Sequence, residues 1–382
     1  MNRIGAAIRN YVRDTNKLLW LACLCSSVLS AMLVYSATRM AGTRTFKTQV
    51  IAIVIGYVGA VILSLFDYAK LAKLWPVIVV GCIGLMGLTS VIGITVPGTD
   101  DKAWINIAGV SFQPSELVKI GFIVTLAKHL DYLREKNKLY SFWHVCLLLL
   151  HVAVPMGIIH LQGDDGAVLV FFFIFLTMCF GAGVQLRYFL LVFISAGIAI
   201  PVAWKYVMNT DQKKRFQILF NHDLDPLGYG YQQSQGEISI ATGQLTGRGY
   251  LNGPRVAASI VPEDHNDFIY SVAGEEFGFI GCVAIILLLL TIILTTLWVA
   301  LHARDALGRN IAYGFLGLVA FQSISNIGMC LYVLPVVGIT LPFFSAGGSS
   351  AACLYFGIGL VQCVSRYKRR KATMGMLAED PS

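Results

Sequence analysis

Ten stretches of this 382-residue chain are apolar over roughly 17 to 25 usable residues each, at about 18–37, 48–66, 71–95, 115–131, 143–161, 166–183, 188–207, 268–301, 311–333 and 346–365. A hydrocarbon layer about 30 Å thick needs about 20 such residues per helical crossing. Backbone in lipid must bond to itself, so these runs predict helices. The expected fold is therefore all-α, a polytopic membrane protein of about ten transmembrane helices. Residues 1–371 form one transmembrane domain, with a large extracytoplasmic loop at about 208–267 and a short disordered cytoplasmic tail at 372–382. The fourth run carries Glu116 and Lys119 and is the least apolar, which predicts a helix sheltered behind others.

Composition supports this class. Charged residues make up 13% and hydrophobic residues 56%, against about 25% charged in soluble domains. The net charge of +8 lies in short segments between apolar runs, a pattern of topology determinants and not of nucleic-acid binding. All nine cysteines fall inside apolar runs, so no disulfide framework or zinc site is expected. The first apolar run is long enough to be an anchor and lacks a cleavage pattern. Both ends are basic, with Arg3, Arg9, Arg13 and Lys17 at one and Arg366 to Lys371 at the other. The positive-inside rule places both in the cytoplasm, which ten crossings allow. Arg39, Arg44 and Lys47 are the dissenting loop, falling outside.

The unusual polar residues then gather on the outer face. They occupy a third loop from Gly98 to Glu116, a fifth at Gln162–Gly166, the long seventh, and a ninth from Leu334 to Ser350. Glu116 and Lys119 are three apart on one helix face, either an internal ion pair or a polar pocket. Asp164 and Asp165 precede an apolar helix, as caps or as a cleft wall. Asp267 ends the acidic run Glu263-Asp264-His265-Asn266-Asp267. It is a helix cap or, with little hydration, a carboxylate of raised pKa suited to general-base work. Glu275 and Glu276 lie two turns on. With Asp267 they offer a candidate cation set or a shared proton. Lys213, Lys214, Arg215, Arg248 and Arg255 are either surface charges or a phosphate grip. The Pro- and Gly-rich ninth loop cannot be regular helix, so it must line a cavity or be covered by protein.

At these residues the chain resembles the SEDS family of bacterial cell-wall polymerases, over nearly its whole length. Phe112–Lys119 reads FQPSELVK, beside the family's FQPSELxK. Gln162–Gly166 reads QGDDG, beside QPDLG. Pro262–Gly278 resembles PExHTDFIFxxxxEExG, and Asn326–Ser350 resembles NIGMxxxxxPVxGxxLPFxSYGGSS. Asp225 to Gly228, Gln235 and Gly243 also fall on family positions. Gly163, Asp165, Ala167, Ala103, Ala346 and Asn266 depart from the patterns.

The resemblance implies a peptidoglycan glycosyltransferase that polymerises lipid II into β-1,4-linked glycan at the outer membrane face. It implies Asp267 as catalytic acid and a polar pocket at Glu116, Lys119 and Asp164, and Arg215, Gln235, Arg248 and Ser349 are added as candidate substrate contacts. It also implies a divalent cation, Mg or Mn, with Asp267, Glu275 and Glu276 as ligand candidates. The partners implied are the nascent lipid-linked glycan and a class B penicillin-binding protein. The compact length and the Thr340–Phe344 variant lean toward the elongation branch over division or sporulation. A lipid II flippase, or a non-catalytic scaffold, is the competing class.

Overall fold

The computed structural model describes residues 3–95, 101–107, 110–206, 208–221, 224 and 228–378. The expected loop residues Gly98 to Asp100 and Asp225 to Leu227 lie outside them. Ten long helices match the ten expected runs: α2 (Lys17–Thr38), α3 (Arg44–Leu65), α5 (Trp75–Ile92), α6 (Pro114–Glu135), α7 (Phe142–Leu161), α8 (Asp165–Ala182), α9 (Leu186–Tyr206), α13 (Ile269–Leu301), α14 (Ala306–Cys330) and α15 (Gly348–Ala378). Among the described residues nine of these are long and apolar enough to cross a membrane. The exception is α6, whose charges lower its hydropathy, yet Glu116 and Lys119 are both buried. The protein is a multi-pass membrane protein in which α6 is shielded from lipid by its neighbours.

The bundle has a centre and a rim. The crossing segment of α15 is 83% buried, that of α14 61%, and that of α9 6%. So α9 faces lipid, and its apolarity meets hydrocarbon instead of protein. Near α15, Asn16 and Gln362 exchange two hydrogen bonds, Asn16 N to Gln362 Oε1 at 2.8 Å and Gln362 Nε2 to Asn16 O at 2.9 Å. Tyr68 donates to Asp305 at 2.8 Å. All nine cysteines are free thiols.

Several elements were not foreseen. A short helix, α1 (Arg3–Asp14), precedes the first span, and α4 (Tyr68–Lys73) splits from α5 where Pro76 starts a new helix. A two-stranded antiparallel hairpin, β1 (Ile105–Ile107) and β2 (Val110–Phe112), precedes α6. The long loop folds into α10 (Thr210–Gln217), α11 (Tyr229–Thr242) and α12 (Pro254–Ala257). Helix α15 continues through Ala378, into the stretch where the tail was expected to be disordered.

Helix α13 is interrupted at Gly278, whose φ of 64° and ψ of −161° suit glycine alone. The break turns carbonyls outward, and the chain after α11 bonds into it. Arg248 N and Gly249 N donate to Glu275 O and Glu276 O at 2.9 and 3.0 Å, while Phe279 N donates to Gln244 O at 2.8 Å. A helix kink therefore has its freed polar groups satisfied by a neighbouring loop, as buried backbone requires.

Candidate active site

The irregular segment from Leu331 to Gly347, between α14 and α15, is the scaffold of the site. It is largely buried and non-helical, so its carbonyls need donors from elsewhere. Side chains from five elements supply them. Gln233 of α11 donates to Leu334 O at 2.8 Å, and Arg215 of α10 to Val336 O at 3.1 Å. Asn326 of α14 donates to Ile339 O at 2.7 Å. Ser30 of α2 reaches Phe344 O at 3.0 Å, and Gln49 of α3 reaches Ser345 O at 3.1 Å. Helix α8 approaches so closely that a Cβ on Gly166 would lie 2.3 Å from Val337 O. Of the two expectations for the ninth loop, the covering by protein is what these contacts show.

This scaffold grips the acidic run before α13. Asn326 Nδ2 donates to Asp267 O at 2.7 Å, Ser345 Oγ to Asn266 O at 2.6 Å, and Ala346 N to His265 O at 2.8 Å. Three consecutive carbonyls are thus held, while no hydrogen bond to the Asp267 carboxylate occurs among the described residues. Asp267 is not the cap of α13. That position is Phe268, which has no side-chain cap. Asp267 Oδ2 lies 3.9 Å from where a Cβ on Gly338 would stand. Burial and the neighbouring Glu263 push its carboxyl up to about 7, against His265 and Arg215, which hold it down. His265 is itself raised, chiefly by Asp264.

Asp164 extends the cluster. It caps α8, accepting from Ala167 N at 2.9 Å, and accepts from Gln113 Nε2 at 2.8 Å. Burial raises its carboxyl, with Lys119 and Glu116 acting on it in opposite senses. Glu116 and Lys119 form a 2.8 Å ion pair with side chains 9% and 2% exposed. Ser349 accepts from Gln113 N at 3.1 Å. Of the expected contacts, then, Asp267, Arg215, Asp164, Glu116, Lys119 and Ser349 form one connected polar region. Asp165 leaves it, bonding His160 at 2.7 Å and Gln212 at 2.5 Å.

Four expected residues lie elsewhere. Glu275 accepts from Arg255 N at 2.8 Å, and Glu276 accepts from Ser36. Arg248 is bound through its backbone to the break in α13. Gln235 accepts from Arg255 Nη2 at 2.5 Å. These residues hold the loop over α13 and do not meet Asp267. Of the expected cation-ligand candidates, the two glutamates are thus engaged with Arg255 N and Ser36, and no group of three or more His, Cys, Asp or Glu suited to a metal occurs among the described residues. Spacing along α13 suggested the set, but Asp267 lies before the helix and the glutamates face the loop. Asn326, Ser345 and Gln233 were missed as supports. Asn326 and Ser345 lay inside a quoted motif, and the signal was an amide or hydroxyl beside a helix-free, buried segment.

A buried carboxyl of raised pKa, coupled to an arginine at the end of a membrane bundle, is the kind of group a membrane-embedded enzyme uses. The relatives agree. The model of the FtsW/RodA/SpoVE family, described as cell cycle protein, matches residues 16–370. The chain belongs to that family. It is 33% identical over 342 residues to a probable peptidoglycan glycosyltransferase FtsW of Geobacter metallireducens, covering 87% of this chain and 90% of that one. It is 29% identical over 350 residues to the peptidoglycan glycosyltransferase MrdB of Escherichia coli K12, covering 90% and 92%. Among solved structures, one described as a peptidoglycan synthase complex coordinating polymerization and crosslinking superposes with a TM-score of 0.79 at 27% identity, covering 93% and 98%. The rod shape determining protein RodA of Thermus thermophilus gives 0.68 at 25% identity, covering 93% and 97%.

Proposed function

We propose that the chain is a peptidoglycan glycosyltransferase that polymerises lipid II, with Asp267 as general base. The observation that carries this reading is that the backbone of Asp267 is held by Asn326 while its carboxyl, raised to about 7, accepts no hydrogen bond among the described residues. Asp267 takes the proton of the acceptor's 4-hydroxyl. The oxygen attacks the anomeric carbon of the donor sugar and inverts it, and undecaprenyl pyrophosphate leaves. The growing negative charge on the pyrophosphate needs a cation beside it. Arg215 stands in that place, fixed to Val336 O. Lys119 is less suited, since Glu116 already neutralises it, and Arg248 is remote from Asp267 in its bonding. No step is assigned to a divalent cation.

Both substrates are lipid-anchored, so the reaction takes place at a membrane face. We assign the outer face, with both termini cytoplasmic, on the distribution of Lys and Arg. A similar solved structure is described as a synthase complex that coordinates polymerization with crosslinking, so the partner we propose is a class B penicillin-binding protein. The test is polymerisation of purified lipid II in detergent. Wild type makes long glycan and Asp267→Ala makes none while keeping its elution volume and melting temperature. Long glycan from the folded variant would end the assignment. Absence of glycan from the wild type supplied with its partner would favour a flippase or scaffold.

A further inference from the structure

A well-formed cavity lies away from Asp267. It is a groove of about 700 Å³ between α5, α6 and α7, walled by side chains such as Val79, Ile83, Leu150 and Val154. Its polar lining is confined to Thr125, Lys128, His129, Tyr132 and His151, with Trp75 beside them. Trp75 starts α5 and Tyr132 lies in the last turn of α6, so this is the end of the groove next to the basic 134–138 loop. Trp and Tyr at a helix end mark the level of lipid headgroups.

The polar floor is a short hydrogen-bonded row. His151 Nε2 meets Thr125 Oγ1 at 3.2 Å, and His151 Nδ1 meets His129 Nδ1 at 3.2 Å. One ring must donate and the other accept across that second contact. His129 Nε2 has no partner among the described residues and remains to bond an occupant. Lys128 is bridged to Asp131 at 3.2 Å. The surplus positive charge comes from Lys70 and Lys73 in the last turn of α4, and from exposed Arg134, Lys136 and Lys138, against Asp67, Asp131 and Glu135. Helix α4 ends at Lys73, just before Trp75, and packs on both α5 and α6, which sets this basic helix beside the Trp75 end of the groove.

We propose that this groove holds one anionic phospholipid. Its acyl chain lies along the apolar wall, and its phosphate sits at the rim of α4 and α6 lysines. An apolar slot in lipid would accept any chain, but the basic rim and the unfilled imidazole select a headgroup with an acceptor and negative charge. The site is independent of the glycosyltransferase reading.

The experiment is native mass spectrometry of the full chain, delipidated in detergent and titrated with phosphatidylglycerol or phosphatidylcholine. Wild type retains one phosphatidylglycerol with at least tenfold preference. Lys70→Gln/Lys73→Gln loses most of that preference, about fivefold per charge, with phosphatidylcholine binding unchanged. Val154→Trp fills the groove and abolishes retention of both lipids. Val80→Trp, on an exposed part of α5 outside the lining, leaves it intact. Should Val154→Trp not fold, Ile83→Trp blocks the groove from the other wall. Equal retention of the two lipids, or retention unaffected by a folded groove-filling variant, shows annular contact only and overturns the proposal.

Discussion

Two acidic sites sit within one short stretch of chain, around Asp267 and around Glu275 with Glu276. They have opposite accounting. The glutamates are fully buried and each has a carboxylate oxygen committed, to Arg255 N and to Ser36. Their backbone carbonyls take Arg248 N and Gly249 N. Asp267 is less buried, yet only its backbone carbonyl is engaged. Burial of an acid inside a membrane bundle is therefore not a mark of chemistry by itself. What sets Asp267 apart is that neither carboxylate oxygen is hydrogen-bonded among the described residues, whereas each glutamate has one oxygen bound and one buried without a partner.

The largest expected effect separates the two sites by readout. Asp267→Asn lowers polymerisation by about 10²–10⁴-fold, the usual contribution of a general base, with no loss of melting temperature. Glycan gel assays beside thermal unfolding in detergent measure both. A comparable loss of melting temperature would give Asp267 the glutamates' structural role. Next comes the ion pair under Asp164. Lys119→Ala leaves Glu116 buried without its partner and destabilises by about 3–5 kcal/mol, whereas Glu116→Gln/Lys119→Met recovers most of it. A Lys119→Ala protein that stays fully stable but inactive would move Lys119 into the chemistry. Smaller again, Glu275→Ala orphans the buried Arg255 N and costs about 1–3 kcal/mol. Activity per folded molecule changes little if the loop over α13 reseats.

The sequence disclosed the ten helices because lipid imposes length and apolarity on each run separately. Even α6 was visible through its charges, and Asp267, Asp164, Glu116 and Lys119 stood out as acids and a base where hydrocarbon begins. What stayed hidden depends on pairings across long separations. Nothing near Glu275 announces that Arg255 N sits on its carboxylate, or that Gly278 opens the helix for residues 244–249. Period along α13 put Asp267 and one of the glutamates on one face. The structure separates them because the residues before Ile269 leave the helical path to follow the 331–347 segment. Asn326 was readable only as a motif letter, since its two acceptors, Asp267 O and Ile339 O, come from different loops.

The finest test of the distinction is electrostatic. The base form of Asp267 is required, so the polymerisation rate rises with pH through about 7, where its carboxyl titrates. Glu263 pushes that value up and Arg215 holds it down. Arg215→Gln should move the acidic limb of the rate profile to higher pH, and Glu263→Gln should move it lower, each by up to about one unit. The same raised carboxyl has a stability signature of defined sign. The folded state binds this proton more tightly than the unfolded chain, so the contribution is complete below the ordinary aspartate range and is lost as pH rises through about 7. Initial rates and melting temperatures from pH 5.5 to 8.5 read both effects. Opposite displacements in the two variants locate the titrating group between Arg215 and Glu263. Identical profiles in both variants and wild type would place the rate-controlling proton on another group and remove Asp267 from the base's role.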